Sequence, residues 1–441
     1  MNRTRREFIR DAGRFSMGLG ALTLNPALVK ASKKNVSTSD KIRLGLIGAR
    51  GRGFYVLKQA LQQPETECVA ICDIDETVIN DRTAEIMKLQ ERKPASFKDF
   101  RKLLENPDLD AVIIGTPDHW HCLQTVYACE AGKDVYVEKP MANSLAELDI
   151  MVDATRRYQR VVSVGQQQRS GKHWQEAIGR IRSGNIGQLR KINIWAHFNY
   201  GVGQKTVPDS PVPQGVDFDM WLGPAPDRTF NEGRFHGSWR MFWDYGGGLM
   251  TDWGVHLIDM ALWAADVTST PNAVTASGGN FAYPDHAHET YDTLNVDYQL
   301  DHLTISWQSL GGIQSGPYGK LYGLAFIGND GTIVADRSEW ILNPEMADDQ
   351  PKAAAMSGKS DGNSSEEHVK NFLQCIKTRE EPHCTVENGR LVAQYSHMGN
   401  IAQRTGSRLV WNDARKEFEK NKAASSLIRP EYRKPWSFPQ V

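Results

Sequence analysis

Glu138 and Lys139 close the stretch Asp134 to Ala142, which reads D-V-Y-V-E-K-P-M-A. A lysine delivered at the end of a strand can neutralise a developing alkoxide or give a proton to a carbonyl. A second stretch carries complementary groups: Gly246-Gly247-Gly248 leads through Leu249, Met250 and Thr251 to Asp252-Trp253-Gly254-Val255-His256, with Asp259 three residues on. If a helix opens near Thr251 or Asp252, then Asp252, His256 and Asp259 recur at helical spacing and share one face. On that face His256 can take or return a hydroxyl proton, while Asp252 binds substrate or orients the base.

These groups need rigid elements to bring them together. Val135, Tyr136 and Val137 form a short β-branched and aromatic run, so they predict a buried strand ending at Glu138 and Lys139. Pro140 fixes the backbone beyond it, and an X-Pro bond at such a turn can be cis. Upstream, Ile42 to Gly48 predicts another strand, followed by Ala49-Arg50-Gly51-Arg52-Gly53 and an apolar-periodic helix through Leu61. This is the first turn of a dinucleotide fold, with backbone amides at a helix N-terminus aimed at a pyrophosphate. Against G-x-G-x-x-G, Gly48 and Gly53 fill the first and third positions. Arg50 takes the second, so Gly51 permits the phosphate approach and Arg50 or Arg52 adds a charge-assisted contact. The next strand, Cys68 to Asp73, ends in an acid twenty positions after Gly53. An acid there hydrogen-bonds the ribose and repels a 2′-phosphate, which favours NAD over NADP. A further strand, Asp110 to Gly115, leads to Thr116-Pro117-Asp118-His119-Trp120-His121, and Val161 to Val164 ends the unit near Gly165. Strands and helices alternating at this spacing predict a parallel sheet.

From about Ser170 the pattern changes. A helix, Lys172 to Ser183, precedes alternating strands at Leu189 to His197, Ala273 to Phe281, Thr293 to Leu300, Leu303 to Ser309 and Leu324 to Gly328. That alternation describes an antiparallel sheet with one buried face. Met346 to Asn363 is small and polar and reads as a mobile loop, and the Pro- and Arg-rich end after Ser426 as an extended arm outside the core. Trp174, Trp195, Trp239, Trp243 and Trp253 are numerous, and an aromatic ring among them, Trp253 above all, suits the apolar face of a sugar. His286 and His288 lie on one short loop, and no metal is assigned to them.

The chain is 40% hydrophobic and 24% charged with a net charge of −1, which argues against a general nucleic-acid or anionic-membrane binder. Its start differs from the rest: Thr4-Arg5-Arg6-Glu7-Phe8-Ile9-Arg10, a mildly apolar run from Phe15 to Leu28, then Val29-Lys30-Ala31. This is the layout of a twin-arginine signal peptide over residues 1–31, with a linker at 32–40 and a periplasmic destination for a chain exported folded. The run is too short and too rich in small polar residues to span a membrane. Its removal takes away six basic and two acidic side chains, so the net charge falls from −1 to −5. The six cysteines include no C-x-x-C pair and sit in apolar patterns, as small hydrophobes rather than disulfides.

Three motifs occur in order: T-P-x-x-x-H at Thr116 to His121, E-K-P at Glu138 to Pro140, and G-G-G-x-x-x-D-x-G-x-H-x-x-D at Gly246 to Asp259. Together they resemble the Gfo/Idh/MocA family of NAD(P)-dependent sugar and polyol oxidoreductases. The resemblance implies an α/β chain with an N-terminal Rossmann dinucleotide-binding domain (41–165). A C-terminal α+β domain (166–425) with a large open, mainly antiparallel sheet follows, and then the tail (426–441). It implies that Lys139, Asp252 and His256 are the catalytic residues. Gly48, Gly51, Gly53, Asp73, Thr116, Pro117, His121, Glu138 and Lys139 would line the cofactor, and Arg169 would lie near the substrate. The expected partner is a small carbohydrate, with a homo-oligomer, dimer or tetramer, formed through the open sheet. An exported enzyme meets no free nucleotide pool, so its NAD would stay bound and be recycled by a second substrate, as in the exported glucose-fructose oxidoreductase branch. Two other readings stand beside this one. A redox-assisted glycosidase of the same family carries a Y-P-T-H-type segment where this chain has Trp253-Gly254-Val255-His256. A sugar-binding or sensing protein would not need Lys139, Asp252 and His256 intact.

Overall fold

The computed structural model describes residues 41–441, so the signal peptide and linker read from the first forty residues lie outside the described residues. Six short strands form the first sheet: Ile42–Ile47 (β1), Thr66–Cys72 (β2), Ala95–Phe97 (β3), Ala111–Ile114 (β4), Asp134–Val137 (β5) and Val162–Val164 (β6). All pairs are parallel, and the order is β3-β2-β1-β4-β5-β6. Both faces are covered, which is why the strands read as continuous apolar runs. Val112, Ile114, Val135 and Val137 join one hydrophobic cluster while Ile113 and Tyr136 point into the other. The second cluster is closed by Phe54 and Leu57 of the helix Arg52–Leu61 and by Phe372 and Leu373 of a late helix, Ser364–Thr378. The order reverses between β1 and β4, and a crevice opens at the carboxyl ends of strands where that happens.

The second sheet has eight strands. In spatial order they are Met356–Lys359, Glu339–Pro344, Gly331–Ala335, Tyr322–Ile327, Lys191–Phe198, Thr304–Gly311, Thr293–Gln299 and Ala273–Gly279. Every neighbouring pair is antiparallel except Lys191–Phe198 with Thr304–Gly311. The segment read as a mobile loop is ordered in part, since Met356–Lys359 pairs with Glu339–Pro344 at the sheet edge. Its small polar residues suit an edge strand with little to bury, which leaves no apolar alternation to read. All six cysteines are free and buried. No helix among the described residues is long and apolar enough to cross a membrane.

The C-terminal tail is extended, but it packs on this chain's own core. Trp436 is buried between Phe100 and Trp120, with ring centroids at 6.2 and 4.9 Å. The Tyr432 hydroxyl donates to Glu147 Oε1 at 2.5 Å, and Glu147 is only 2% exposed. Burial pushes the Glu147 carboxyl up to about 7 against the opposing pull of that hydrogen bond. The folded protein therefore holds this proton more tightly than the unfolded chain. The group's contribution to stability declines as pH rises from 4.5 to about 7 and is flat beyond. Tyr432→Phe leaves the buried carboxylate short of a donor and is expected to cost about 1–3 kcal/mol. Chemical denaturation at acid and alkaline pH checks this, and the loss should be larger on the alkaline side.

Candidate active site

Two adjoining cavities open at the carboxyl ends of β1, β4 and β5. The larger, about 400 Å³, is lined by Gly48, Arg50, Gly51, Arg52, Asp73, Thr116, Pro117 and Trp120 from the first sheet's side. Met220, Trp221, His236, Trp239 and Arg240 close it from the other. The smaller, about 240 Å³, is lined by Asp118, Glu138, Lys139, Gln167, Asp252, Trp253, His256 and Arg337. Arg52, Gly115, Thr116 and Arg240 border both.

The first turn is built from backbone brought into close contact. Gly48 has φ +82°, and a Cβ there would lie 2.6 Å from Thr116 N. At Gly53 a Cβ would lie 2.3 Å from Gly48 O. Gly51, by contrast, has nothing within 4 Å of a Cβ and faces the larger cavity. A floor of bare backbone beneath open space at a helix N-terminus suits a pyrophosphate, so the residues present fit a dinucleotide. Asp73 accepts Ala49 N–H at 2.7 Å and Asp75 N–H at 3.2 Å, and each oxygen keeps a lone pair for a ribose hydroxyl. Burial raises its pKa while these backbone donors oppose the rise. The helix cap is Asp75, which accepts from Thr77 N–H, so Asp73 remains available. Asp73→Asn is expected to weaken NAD binding about 10-fold or more, the scale of a hydrogen bond to a charged group. It should also narrow the preference for NAD over NADP, measurable by nucleotide titration of the stripped protein.

The two arginines of this turn are partly engaged elsewhere. Arg50 donates to His236 O at 2.9 Å. Arg52 donates to Glu138 Oε1 at 2.9 Å, and although burial would lower its pKa, the Glu138 charge raises it overall. Its charge is thus directed at the end of β5 rather than at the glycine turn. His121 lines neither cavity. Its ring nitrogens lie 2.7 Å from Pro140 O and 2.9 Å from Thr116 O, which ties the ends of β4 and β5 together. The Lys139–Pro140 peptide is cis.

In the smaller cavity Lys139 Nζ donates to Asp252 Oδ1 at 2.5 Å and to Asp252 O at 2.8 Å. Arg240 Nε lies 3.2 Å from Asp252 Oδ1, and the Tyr200 hydroxyl donates to Oδ2 at 3.1 Å. Burial pushes the Asp252 carboxyl up, but Lys139 and Arg240 outweigh it and hold it well below the usual carboxylate range. His256 is 6% exposed, and its Nδ1 is buried with no hydrogen-bond partner among the described residues. Burial, then Arg337, Lys139 and Arg52, push it well below 6.5, so it is a neutral base at neutral pH. Trp253 carries the Arg337 guanidinium at 4.3 Å and packs on Phe198 and Tyr322 at 4.5 and 4.6 Å.

The helix that carries these groups differs from the expected one. Met250–Gly254 winds as a π-helical turn before the α-helix Val255–Ala264. The extra residue in that turn breaks the simple helical spacing, a feature frequent at functional sites. Asp252 and His256 meet on the cavity, but Asp259 is fully buried against Arg169. Arg169 donates to both Asp259 oxygens at 2.7 to 3.0 Å and stacks on Trp263, so it borders neither cavity. The expectation that Arg169 lies near substrate is corrected: its charge is used to satisfy a buried carboxylate. Asp118, Tyr200, Arg240 and Arg337 were not legible as site residues. Asp118 sat at a free position of T-P-x-x-x-H, Tyr200 and Arg337 come from loops, and Arg240 comes from the short 3₁₀ turn Ser238–Met241, none of them with a spacing signal.

Residues 42–166 match a family model described as oxidoreductase family, NAD-binding Rossmann fold. Residues 181–302 and 350–438 match oxidoreductase family, C-terminal alpha/beta domain. Glycosyl hydrolase family 109 protein 1 of Shewanella sp. strain ANA-3 is 32% identical over 202 residues. An alpha-N-acetylgalactosaminidase of Shewanella oneidensis is 30% identical over 201 residues. Each match covers 42% of this chain and 44% of the relative, so the chain spans less than half the length of the curated relatives it matches. Among solved structures, an aldose-aldose oxidoreductase from Caulobacter crescentus complexed with glycerol superposes with TM-score 0.64 at 20% identity. Levoglucosan dehydrogenase in complex with NADH and levoglucosan gives 0.64 at 18%. Each covers 84% of this chain and 99% of the other, a likeness of fold.

Proposed function

Because the chain belongs to the Gfo/Idh/MocA family of oxidoreductases, whose first domain binds NAD, we propose that it oxidises and re-reduces a CH–OH group of a sugar, polyol or glycoside. The observation that carries this reading is the placing of Lys139, Asp252 and His256 on one cavity that adjoins the dinucleotide cleft. Bound NAD supplies a hydride acceptor and donor. His256, neutral and with an unpartnered ring nitrogen, takes the hydroxyl proton. Lys139, held by Asp252, stabilises the oxygen as it becomes alkoxide-like, and Arg240 and Arg337 add positive charge to the same walls. Trp253 offers its ring to the apolar face of the substrate.

A second reading has its own support. The family 109 relatives bear the name of glycosyl hydrolases, and this chain follows one of them at 32% identity. Transient oxidation that activates a glycoside for elimination and is then reversed would give hydrolysis from the same groups. The Trp253 position, where a tyrosine was expected for that chemistry, has a phenol nearby in Tyr200, bonded to Asp252. Export to the periplasm rests on residues 1–31 alone and assembly on the open sheet, and both belong to this proposal.

The test uses the protein purified without added nucleotide. Its cofactor is released by denaturation and identified, and the near-ultraviolet absorbance of reduced nicotinamide is followed while sugars and glycosides are supplied. Bound NAD that becomes reduced supports the reading. A protein that neither holds nor binds NAD would overturn it.

A further inference from the structure

Asp118 opens the short turn Asp118–Trp120 directly after β4 and its Thr116-Pro117 pair. The side chains around it are fixed. His119 Nε2 lies 3.0 Å from Trp221 O, Trp120 Nε1 donates to the same oxygen at 3.1 Å, and His121 bridges Thr116 O and Pro140 O. Asp118 alone faces the smaller cavity, on the wall it shares with Lys139, Asp252 and His256. It is 3% exposed, and its carboxyl has no hydrogen-bond or ion-pair partner among the described residues. A buried carboxyl on the wall of the cavity, with no hydrogen-bond partner of its own and on a turn whose other side chains are tied down, is free to meet a group on the ligand.

We propose that Asp118 is a second acid–base group of this cavity, which gives its proton to the leaving oxygen of a glycoside. The inference rests on the cleavage reading above. Moving a hydride to or from a hydroxyl-bearing carbon needs one proton-transfer group, and His256 supplies it. Expelling an alcohol needs another.

His256 takes the hydroxyl proton as hydride leaves the same carbon, bound NAD being the oxidant that would accept it, and then passes that proton to water. The C–H beside the new carbonyl is now acidic, and His256 removes its proton. The electron pair left behind forms a carbon–carbon double bond, and the bond to the leaving oxygen breaks with its pair going to that oxygen. Asp118 protonates it, and the alcohol departs. Water then adds across the double bond: its hydroxyl goes to carbon, its proton restores Asp118, and His256 returns the other proton. Hydride returns to the carbonyl carbon with a proton from water.

The electrostatics agree with this role. Burial pushes the Asp118 carboxyl up to about 8, with Asp252 and Glu138 adding to the rise while Arg240 and Lys139 oppose it. It therefore carries its proton at neutral pH, and cleavage that depends on it should fall as pH rises through about 8.

Asp118→Asn matches the neutral acid in shape, and its nucleotide content after purification reports that the site is intact. Wild type and variant are compared on methyl and dinitrophenyl glycosides of one sugar panel. Release of methanol should fall by about 10²–10⁴-fold, the usual contribution of a general acid. Release of dinitrophenolate, which leaves without a proton, should fall far less. An equal deficit on both, no deficit on either, or loss of bound NAD overturns the assignment of Asp118 and leaves the cleavage reading standing. If wild type reduces its NAD but releases no aglycone from any glycoside, the cleavage reading falls and takes this assignment with it.

Discussion

Lys139→Met should lower sugar-dependent reduction of the bound cofactor by about 10²–10³-fold, the range expected for loss of a group that stabilises a developing oxyanion, while leaving the nucleotide in place. The ammonium is one of three groups on the Asp252 carboxylate, with Arg240 and Tyr200 as the others. Removing one partner of a buried ion pair costs about 3–5 kcal/mol when the other charge is left uncompensated. Here Arg240 remains 3.2 Å away, so the fold is expected to persist with a smaller loss. Stopped-flow absorbance and nucleotide content measured on the same preparation separate chemistry from binding. A variant that reduces its cofactor at the wild-type rate would remove Lys139 from the reaction.

The second large effect is structural in origin. Gly53→Ala drives a Cβ to 2.3 Å from Gly48 O and 3.2 Å from Gly115 Cα, and both are backbone atoms that cannot swing aside. The first turn must part from the strand ends, at an overpacking cost of about 1–3 kcal/mol or more. Nucleotide content and Tm should fall together. Gly51→Ala is the control, since nothing lies within 4 Å of its Cβ. It should hold its Tm while binding nucleotide less tightly, because Gly51 faces the cleft. Equal Tm losses in the two variants would contradict this packing.

What was legible in the sequence follows from how local each signal is. β1, β2, β4, β5 and β6 were read because a parallel sheet buries both faces and leaves continuous apolar runs. Lys139, Asp252 and His256 were read because each lies within a compact motif of chemically distinctive residues. Asp118 was quoted but not recognised, since only its burial and its lack of partners single it out. Arg240, on the short 3₁₀ turn Ser238–Met241, and Arg337, on a loop, reach the cavity from distant parts of the chain, and no spacing announces such a convergence. Arg169 was expected near the substrate from the family resemblance, and the burial of Asp259 that claims it becomes visible only in three dimensions. The tail was read as an extended arm outside the core because Pro and Arg dominate it. Trp436 and Tyr432 nonetheless find an aromatic slot and a buried carboxylate on the chain's own first domain.

Hydride is expected to pass between a sugar carbon and NAD beside Lys139 and His256. The most direct measurement supplies the purified holoprotein with sugars and glycosides carrying deuterium on their hydroxyl-bearing carbons, quenches early, and weighs the released cofactor by mass spectrometry. Wild type should yield nicotinamide heavier by one deuterium, and Lys139→Met almost none. Substrate turnover that leaves the cofactor unlabelled, or labelling equal in wild type and variant, would contradict it.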